Sequence, residues 1–118
     1  MHKLEDLEIY SMSMSFAEKV WNVVSQWDYF DKSTIGTQWV RSSDSIAANI
    51  AEGYGRNSSK EALQFCYYSR GSLKETICFL QKSYNRSLVT KEFFNLALGD
   101  LEVLGKKLNS YINYLKAN

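Results

Sequence analysis

The residue types that usually carry enzyme chemistry are scarce in this 118-residue chain. It has one histidine, His2, and two cysteines, Cys66 and Cys78. Serine is common, but a serine nucleophile needs a neighbouring base, and no histidine lies inside the chain to act as one. A zinc site needs more ligands than two cysteines and one histidine provide. The sequence therefore predicts a protein that is not an enzyme and that holds neither a metal nor a cofactor.

Two carboxylates, Glu52 and Glu75, could in principle form an acid–base pair on neighbouring helices. Basic residues lie close to both of them in the sequence: Arg56, Arg70 and Lys74. We therefore expect the carboxylates to form structural ion pairs with these cations.

The two cysteines are expected to be buried free thiols. Cys66 and Cys78 lie on one predicted helix, twelve residues apart. This spacing separates them by about 18 Å along the helix axis, which is too far for a disulfide. Free cysteine usually packs as a small apolar residue.

Basic side chains along the second connection and the third predicted helix are the clearest functional signal. Residues 1–55 carry four basic and eight acidic side chains (net −4), whereas residues 56–118 carry ten and five (net +5). Interleaved tyrosines (Tyr54, Tyr67 and Tyr68) could stack on bases. We predict a stripe of phosphate contacts. Its members are Arg56, Lys60, Arg70, Lys74, Lys82 and Arg86, with Lys106 and Lys107 adding charge on the fourth helix.

Apolar residues spaced by three and four predict the helices that must position these side chains. The chain contains no proline, so long helices can continue without interruption. We expect helices at about residues 4–27, 34–54, 59–84 and 91–116. Short connections favour antiparallel neighbours. The prediction is an all-α, antiparallel up-down-up-down four-helix bundle that forms a single domain over residues 1–118.

Each predicted helix has one stripe of residues expected to face the core. On the first helix the stripe is Leu7, Tyr10, Met14, Ala17, Trp21 and Val24. On the second it is Ile35, Trp39, Ile46 and Ile50. On the third it is Ala62, Cys66, Ser69, Leu73, Ile77 or Thr76, Leu80 and Tyr84. On the fourth it is Phe94, Ala97, Leu101, Leu104, Leu108, Tyr111 and Leu115.

Hydroxyl side chains indicate where three of the helices begin. Ser33 or Thr34 can cap the second helix. Ser58, three residues before Glu61, forms a capping-box pattern at the third. Thr90 is a suitable N-cap for the fourth.

The run SIAANIAEGYGR at residues 45–56 is the most distinctive stretch of the chain. Asn49 and Glu52 are neighbours on one helix. We expect them to hydrogen-bond to the Gly71–Ser72 region and so set the register between helices. The alternative is that they line a polar pocket facing a ligand or nucleic acid. Gly53 and the second glycine of the GYG sequence predict a C-cap.

Gly71 lies inside the third predicted helix. Glycine at such a position costs about 1 kcal/mol relative to alanine. We therefore expect a neighbouring helix to pack closely against it.

The 45–56 run, followed by GSLKE at residues 71–75, resembles a four-helix-bundle protein family encoded in intervening sequences of bacterial large-subunit ribosomal RNA genes. That family is related to the accessory variability proteins of diversity-generating retroelements. The resemblance covers nearly the whole chain. It marks as motif positions Asn49, Glu52, Gly53, Gly71 and Ser72.

The resemblance also implies partners. The retroelement relatives bind nucleic acid and a reverse transcriptase, and members of the family assemble as rings of five bundles. By this likeness we expect a homo-oligomer, a pentamer. Five aromatic residues would suit its subunit interfaces: Tyr29, Phe30, Trp39, Phe65 and Phe79. The chain departs from its relatives before the second helix, where a proline-containing lead-in is replaced by residues 34–38.

We expect an oligomeric, non-catalytic binding protein, a nucleic-acid-associated accessory factor that uses the basic stripe. The alternative is a protein-interaction scaffold that does not bind nucleic acid. No apolar run approaches the roughly 20 residues of a membrane span, and the N-terminus lacks the layout of a secretory signal. The expected location is the cytoplasm, with no membrane partner.

Overall fold

Four helices account for most of the described residues in the computed structural model, which describes Leu4 and residues 7–118. They are α1 (Glu8–Val24), α2 (Thr37–Tyr54), α3 (Ser59–Asn85) and α4 (Lys91–Ala117). This part of the chain contains no strand. The predicted all-α class is confirmed.

Contacts between helices show that neighbours are antiparallel. Ser69 of α3 donates a hydrogen bond to the Ile46 carbonyl of α2 at 2.8 Å. Farther along α3, Thr76 bonds to Ser42, which lies earlier in α2. The packing order is α1 on α2, α2 on α3, α3 on α4 and α4 on α1. The helices therefore form the predicted four-helix bundle.

An aromatic layer closes one end of the core. Trp39 is fully buried, stacks on Trp27 with ring centroids 5.9 Å apart, and meets Phe93 edge-on at 6.4 Å. The Trp27 indole N–H donates to the Leu88 carbonyl at 3.1 Å, which ties this layer to the connection before α4. Below it the core consists mainly of aliphatic side chains. Fully buried members include Ile46, Ile50, Leu80, Leu101, Leu104, Leu108 and Ile112.

Side-chain caps begin α3 and α4 at the predicted residues. The Ser58 hydroxyl accepts the Glu61 N–H at 3.2 Å, and the Thr90 hydroxyl accepts the Phe93 N–H at 3.0 Å. Such a cap stabilises a helix by about 1 kcal/mol. After α3 the chain turns at Ser87, whose φ of 60° is in the left-handed region.

The second helical segment begins earlier than predicted. Residues 29–36, expected to include a connection, are helical and continue without a break into α2. They comprise a short helical turn at Tyr29–Asp31 and a π-helical turn at Lys32–Gly36. The π-helical turn inserts one extra residue into the helical repeat.

Asp28 is the N-cap of this segment, so the predicted caps Ser33 and Thr34 are wrong. The Asp28 carboxylate accepts the Asp31 N–H at 3.0 Å. Thr34 instead donates its hydroxyl to the Phe30 carbonyl at 2.7 Å, as an ordinary residue inside a helix can. The helical segment therefore begins at Tyr29, directly after the Asp28 cap.

The buried stripe of α1 also differs from the prediction. Met14 and Trp21, expected in the core, are 45% and 58% exposed. The true stripe passes through Ser13, which is fully buried and donates to the Ile9 carbonyl at 2.6 Å. Because this hydroxyl is satisfied within its own helix, a polar residue occupies a core position. The buried residues of α1 are Ile9, Ser13, Phe16, Ala17, Val20 and Val24.

The predicted span of the first helix, 4–27, includes residues 5 and 6, which lie outside the described residues. Leu7 is the N-cap of α1, and Ser25 is its C-cap. Of the two candidates for one position in the buried stripe of α3, Thr76 is fully buried and Ile77 is half-buried.

Candidate nucleic-acid interface

Three lysines of the predicted stripe lie on the outer face of α3. At about 100° per residue, Lys60, Lys74 and Lys82 fall within a sector of about 80°, opposite the buried stripe of the helix. All three side chains are exposed, and none has an ion-pair partner among the described residues. We call these three residues the lysine face. From end to end it spans about 33 Å of helix.

Arg56 is engaged locally and does not extend the lysine face. It lies in the connection after α2, outside both helices. Its guanidinium forms an ion pair with Glu52 and lies 4.7 Å from the centre of the Phe65 ring. The ion pair expected for Glu52 is therefore present, and it neutralises one member of the predicted stripe.

Arg70 is also held by neighbours. Its guanidinium donates to the Asn109 side chain of α4 at 3.1 Å and lies 5.0 Å from the centre of the Tyr67 ring. The side chain is half-buried. Arg70 therefore links α3 to α4, and its charge is partly covered.

Arg86 is the C-cap of α3, and its charge acts on Asp31 in the helical segment before α2. Burial and the neighbouring Asp28 carboxylate raise the pKa of Asp31, and the charge of Arg86 opposes that change. The predicted stripe thus divides into three unpaired lysines, two engaged arginines and one arginine at the end of the bundle.

The motif residues Asn49 and Glu52 do not make the predicted contacts with the Gly71–Ser72 region. Asn49 donates to the Ser45 carbonyl of its own helix at 2.9 Å. Two hydrogen bonds between α2 and α3 come instead from small hydroxyl side chains: Ser69 bonds to the Ile46 carbonyl and Thr76 to Ser42.

The prediction that a neighbouring helix packs closely against Gly71 is also wrong. The close approach occurs at Gly53 instead. A Cβ atom on Gly71 would meet nothing within 4 Å. On Gly53 it would lie 3.0 Å from the Phe65 Cβ and 3.1 Å from the Ala62 carbonyl oxygen. The α2–α3 pair therefore depends on the absence of a side chain at position 53.

The two thiols have different environments. Cys66 is buried, and burial raises the pKa of its thiol to about 11. Cys78 is exposed, contrary to the prediction, and it lies one helical turn from both Lys74 and Lys82 on the lysine face.

Residues 5–110 match the 23S rRNA-intervening sequence protein family. The chain belongs to this family. A crystal structure of a protein of unknown function from the S23 ribosomal protein family of Bacteroides thetaiotaomicron VPI-5482 has the same fold. It has a TM-score of 0.80 and 22% sequence identity, with 89% of this chain and 95% of that chain covered. No curated protein matches the sequence.

Beyond the predicted stripe, the protein has a groove of about 460 Å³ between α1 and the start of α2. Sequence reasoning missed it because Trp21 was assigned to the core and Lys32 to a connection. The recurrence of Lys32, Gly36 and Val40 at intervals of four was the available signal. Its lining is Trp21, Val24, Ser25, Lys32, Gly36, Thr37, Val40 and Arg41.

Within the described residues of this family member, no cluster of His, Cys, Asp and Glu side chains is arranged to hold a metal ion. His2 lies outside them. None of the helices described is long and apolar enough to cross a membrane.

Proposed function

We propose that this protein is a non-catalytic accessory factor that binds nucleic acid through the lysine face. The observation that supports this is the set of exposed, unpaired lysines on one side of α3. Lysine ammonium groups contact phosphates as point charges, and each contact releases counterions from the nucleic acid. A straight row about 33 Å long can contact several phosphates of one backbone.

The non-catalytic role is part of this proposal. The lining of the groove includes neither a carboxylate nor a histidine, so this surface lacks an acid–base pair. The proposal also includes a cytoplasmic location, which is predicted from the sequence.

We also propose that the protein self-associates, as a pentamer by the family resemblance. Repetition of the lysine face around a ring would add the fields of its copies. Tyr29 and Phe30 remain candidates for subunit contacts because 84% and 71% of their surfaces are exposed. Trp39 and Phe79 are not candidates for subunit contacts, since both are buried inside the bundle.

Charge reversal on the lysine face tests the proposal. The double variant Lys74→Glu with Lys82→Glu is compared with Lys91→Glu with Lys116→Glu, which changes the net charge equally at exposed positions near the ends of α4. Binding to structured RNA and to duplex DNA is followed by fluorescence anisotropy over a salt series.

We expect the lysine-face variant to lose at least roughly tenfold in affinity at low salt. The slope of log affinity against log salt should fall by about 2 on duplex DNA, since two phosphate contacts are lost. The α4 variant should retain most of the affinity. Equal losses in the two variants would show that only net charge matters, and no loss in either would refute the lysine face. Circular dichroism checks that both variants are folded.

The alternative, a protein-interaction scaffold, is supported by apolar side chains on the surface. Leu96 is 66% exposed, Tyr114 60% and Val103 46%, all on α4. Apolar contacts of this kind would bind a protein partner with little dependence on salt, whereas phosphate contacts weaken steeply as salt is added. The same salt series therefore separates the two functions.

A further inference from the structure

The groove between α1 and the start of α2 has the dimensions and lining of a ligand site. Its volume of about 460 Å³ is within the range of small-molecule pockets. Val24, Gly36 and Val40 contribute an apolar floor. A Cβ on Gly36 would lie 2.8 Å from the Val24 side chain, so the π-helical turn can approach α1 only because this residue is glycine.

An exposed indole borders the groove. Trp27 and Trp39 stack on each other inside the bundle, whereas Trp21 is 58% exposed. Trp21 has no ring partner among the described residues. An aromatic face that is available in this way can stack on a flat ring such as a nucleobase.

The rim of the groove is cationic. Lys32 and Arg41 both line it, and its lining includes no carboxylate. Neither cation has an ion-pair partner in the part of the chain that the structure describes. An occupant with an apolar ring and a neighbouring anionic group matches this lining, and a nucleotide supplies both.

Arg41 links the groove to a second cavity on the α3 side. It also lines a smaller cavity of about 250 Å³, which includes Glu75 and Phe79 of α3. The Lys82 amine lies 6.0 Å from the centre of the Phe79 ring. Arg41 therefore lines both the groove and a cavity that reaches α3. Glu75 is the carboxylate in the lining of that cavity.

We propose that the groove binds one unpaired nucleotide of a single-stranded RNA or DNA. The base stacks on Trp21, and the adjoining phosphates contact Lys32 and Arg41. This inference rests on the proposed function and adds to it a preference for unpaired over duplex nucleic acid, because a base within a duplex is not free to stack on a protein ring.

The test compares Trp21→Ala with Met14→Ala, a matched control two turns earlier on α1 that is also exposed but does not line the groove. Each variant and the wild-type protein are titrated with a short unstructured single strand and with a duplex of equal length. Anisotropy gives the affinities, tryptophan fluorescence detects stacking on Trp21, and light scattering gives the mass of each protein.

Trp21→Ala should lose about tenfold in affinity for the single strand, retain its affinity for the duplex, and lose the quenching seen with the wild type. Met14→Ala should behave as the wild type does. The groove proposal alone would be overturned if Trp21→Ala bound the single strand as tightly as the wild type does, or if Met14→Ala lost as much affinity as Trp21→Ala. A changed mass for Trp21→Ala would also overturn it, because a second copy of the chain would then cover the groove. If the wild type bound neither the single strand nor the duplex, the proposed function itself would be refuted.

Discussion

Gly53 and Gly71 are both motif glycines within helices, but their surroundings are opposite. At Gly53 the backbone of α2 lies against Ala62 and Phe65 of α3, with no room for a methyl group. At Gly71 the helix faces open space. The first glycine is required by packing, whereas nothing in the packing of a single bundle explains the second.

Alanine substitutions should therefore have opposite effects at these two positions. Gly71→Ala should raise the free energy of unfolding by about 1 kcal/mol, because alanine favours the helix and meets no neighbour. Gly53→Ala should gain the same propensity but lose about 1–3 kcal/mol to overpacking, so a net loss is expected. Urea unfolding measures both. A stabilised Gly53→Ala would show that Ala62 and Phe65 move aside easily.

The opposite surroundings of the two glycines could not be predicted from the sequence. Glycine in a helix signals a close approach only if that face points toward a neighbour, and Gly71 points away. Trp21 and Cys78 show the same difficulty. Spacing predicted burial of Trp21 and residue type predicted burial of Cys78, but both are exposed. The identity of the basic residues was visible in the sequence, but the separation into free lysines and engaged arginines depends on contacts with other helices.

The packing of α2 on α3 depends on small hydroxyl residues. Ser42, Ser69 and Thr76 are all at least nine-tenths buried. Thr76 bonds both to Ser42 at 3.0 Å and to the Ser72 carbonyl of its own helix at 2.8 Å. Short side chains let the two backbones approach, and each hydroxyl has a hydrogen-bond partner, so little energy is lost by burying it.

A double-mutant cycle tests the contact between Ser42 and Thr76. Thr76→Val should lower the free energy of unfolding by about 0.5–1.5 kcal/mol, since a buried hydrogen bond is lost while the shape is kept. Ser42→Ala should cost a similar amount. Because both remove the same bond, the double variant should cost less than the sum, with a coupling of at least about 0.5 kcal/mol. Strictly additive losses would mean that the hydroxyls do not interact.

The elements show which local signals were sufficient. The starts of α3 and α4 followed from caps at Ser58 and Thr90, which are short-range hydrogen bonds. The start of the helical segment that leads into α2 could not be predicted in this way. Asp28, Ser33 and Thr34 can all cap a helix, and the sequence does not rank them. The predicted stripe of α1 leaves out Ser13, which is buried although it is polar because its hydroxyl bonds within its own helix.

Across the whole molecule, α1 is held less firmly than α3. It contacts α4 less extensively than it contacts α2. Two ion pairs between exposed side chains, Lys19–Asp100 and Glu8–Lys107, lie along the α1–α4 seam. Cavities of about 260 and 390 Å³ open along the same seam. By contrast, α3 packs extensively on both α2 and α4.

Amide hydrogen exchange followed by mass spectrometry should therefore be faster across α1 than across the middle of α3. Local opening requires the least energy where few buried contacts are broken, and α1 can separate from α4 along a partly open seam. Added salt should change α1 exchange little, since exposed ion pairs contribute only about 0–1 kcal/mol. Equal protection of α1 and α3 would show that the bundle opens only as a unit. If added salt strongly increased the exchange rate of α1 alone, the ion pairs of Lys19 and Lys107 would be holding α1 to α4 more firmly than surface ion pairs usually do.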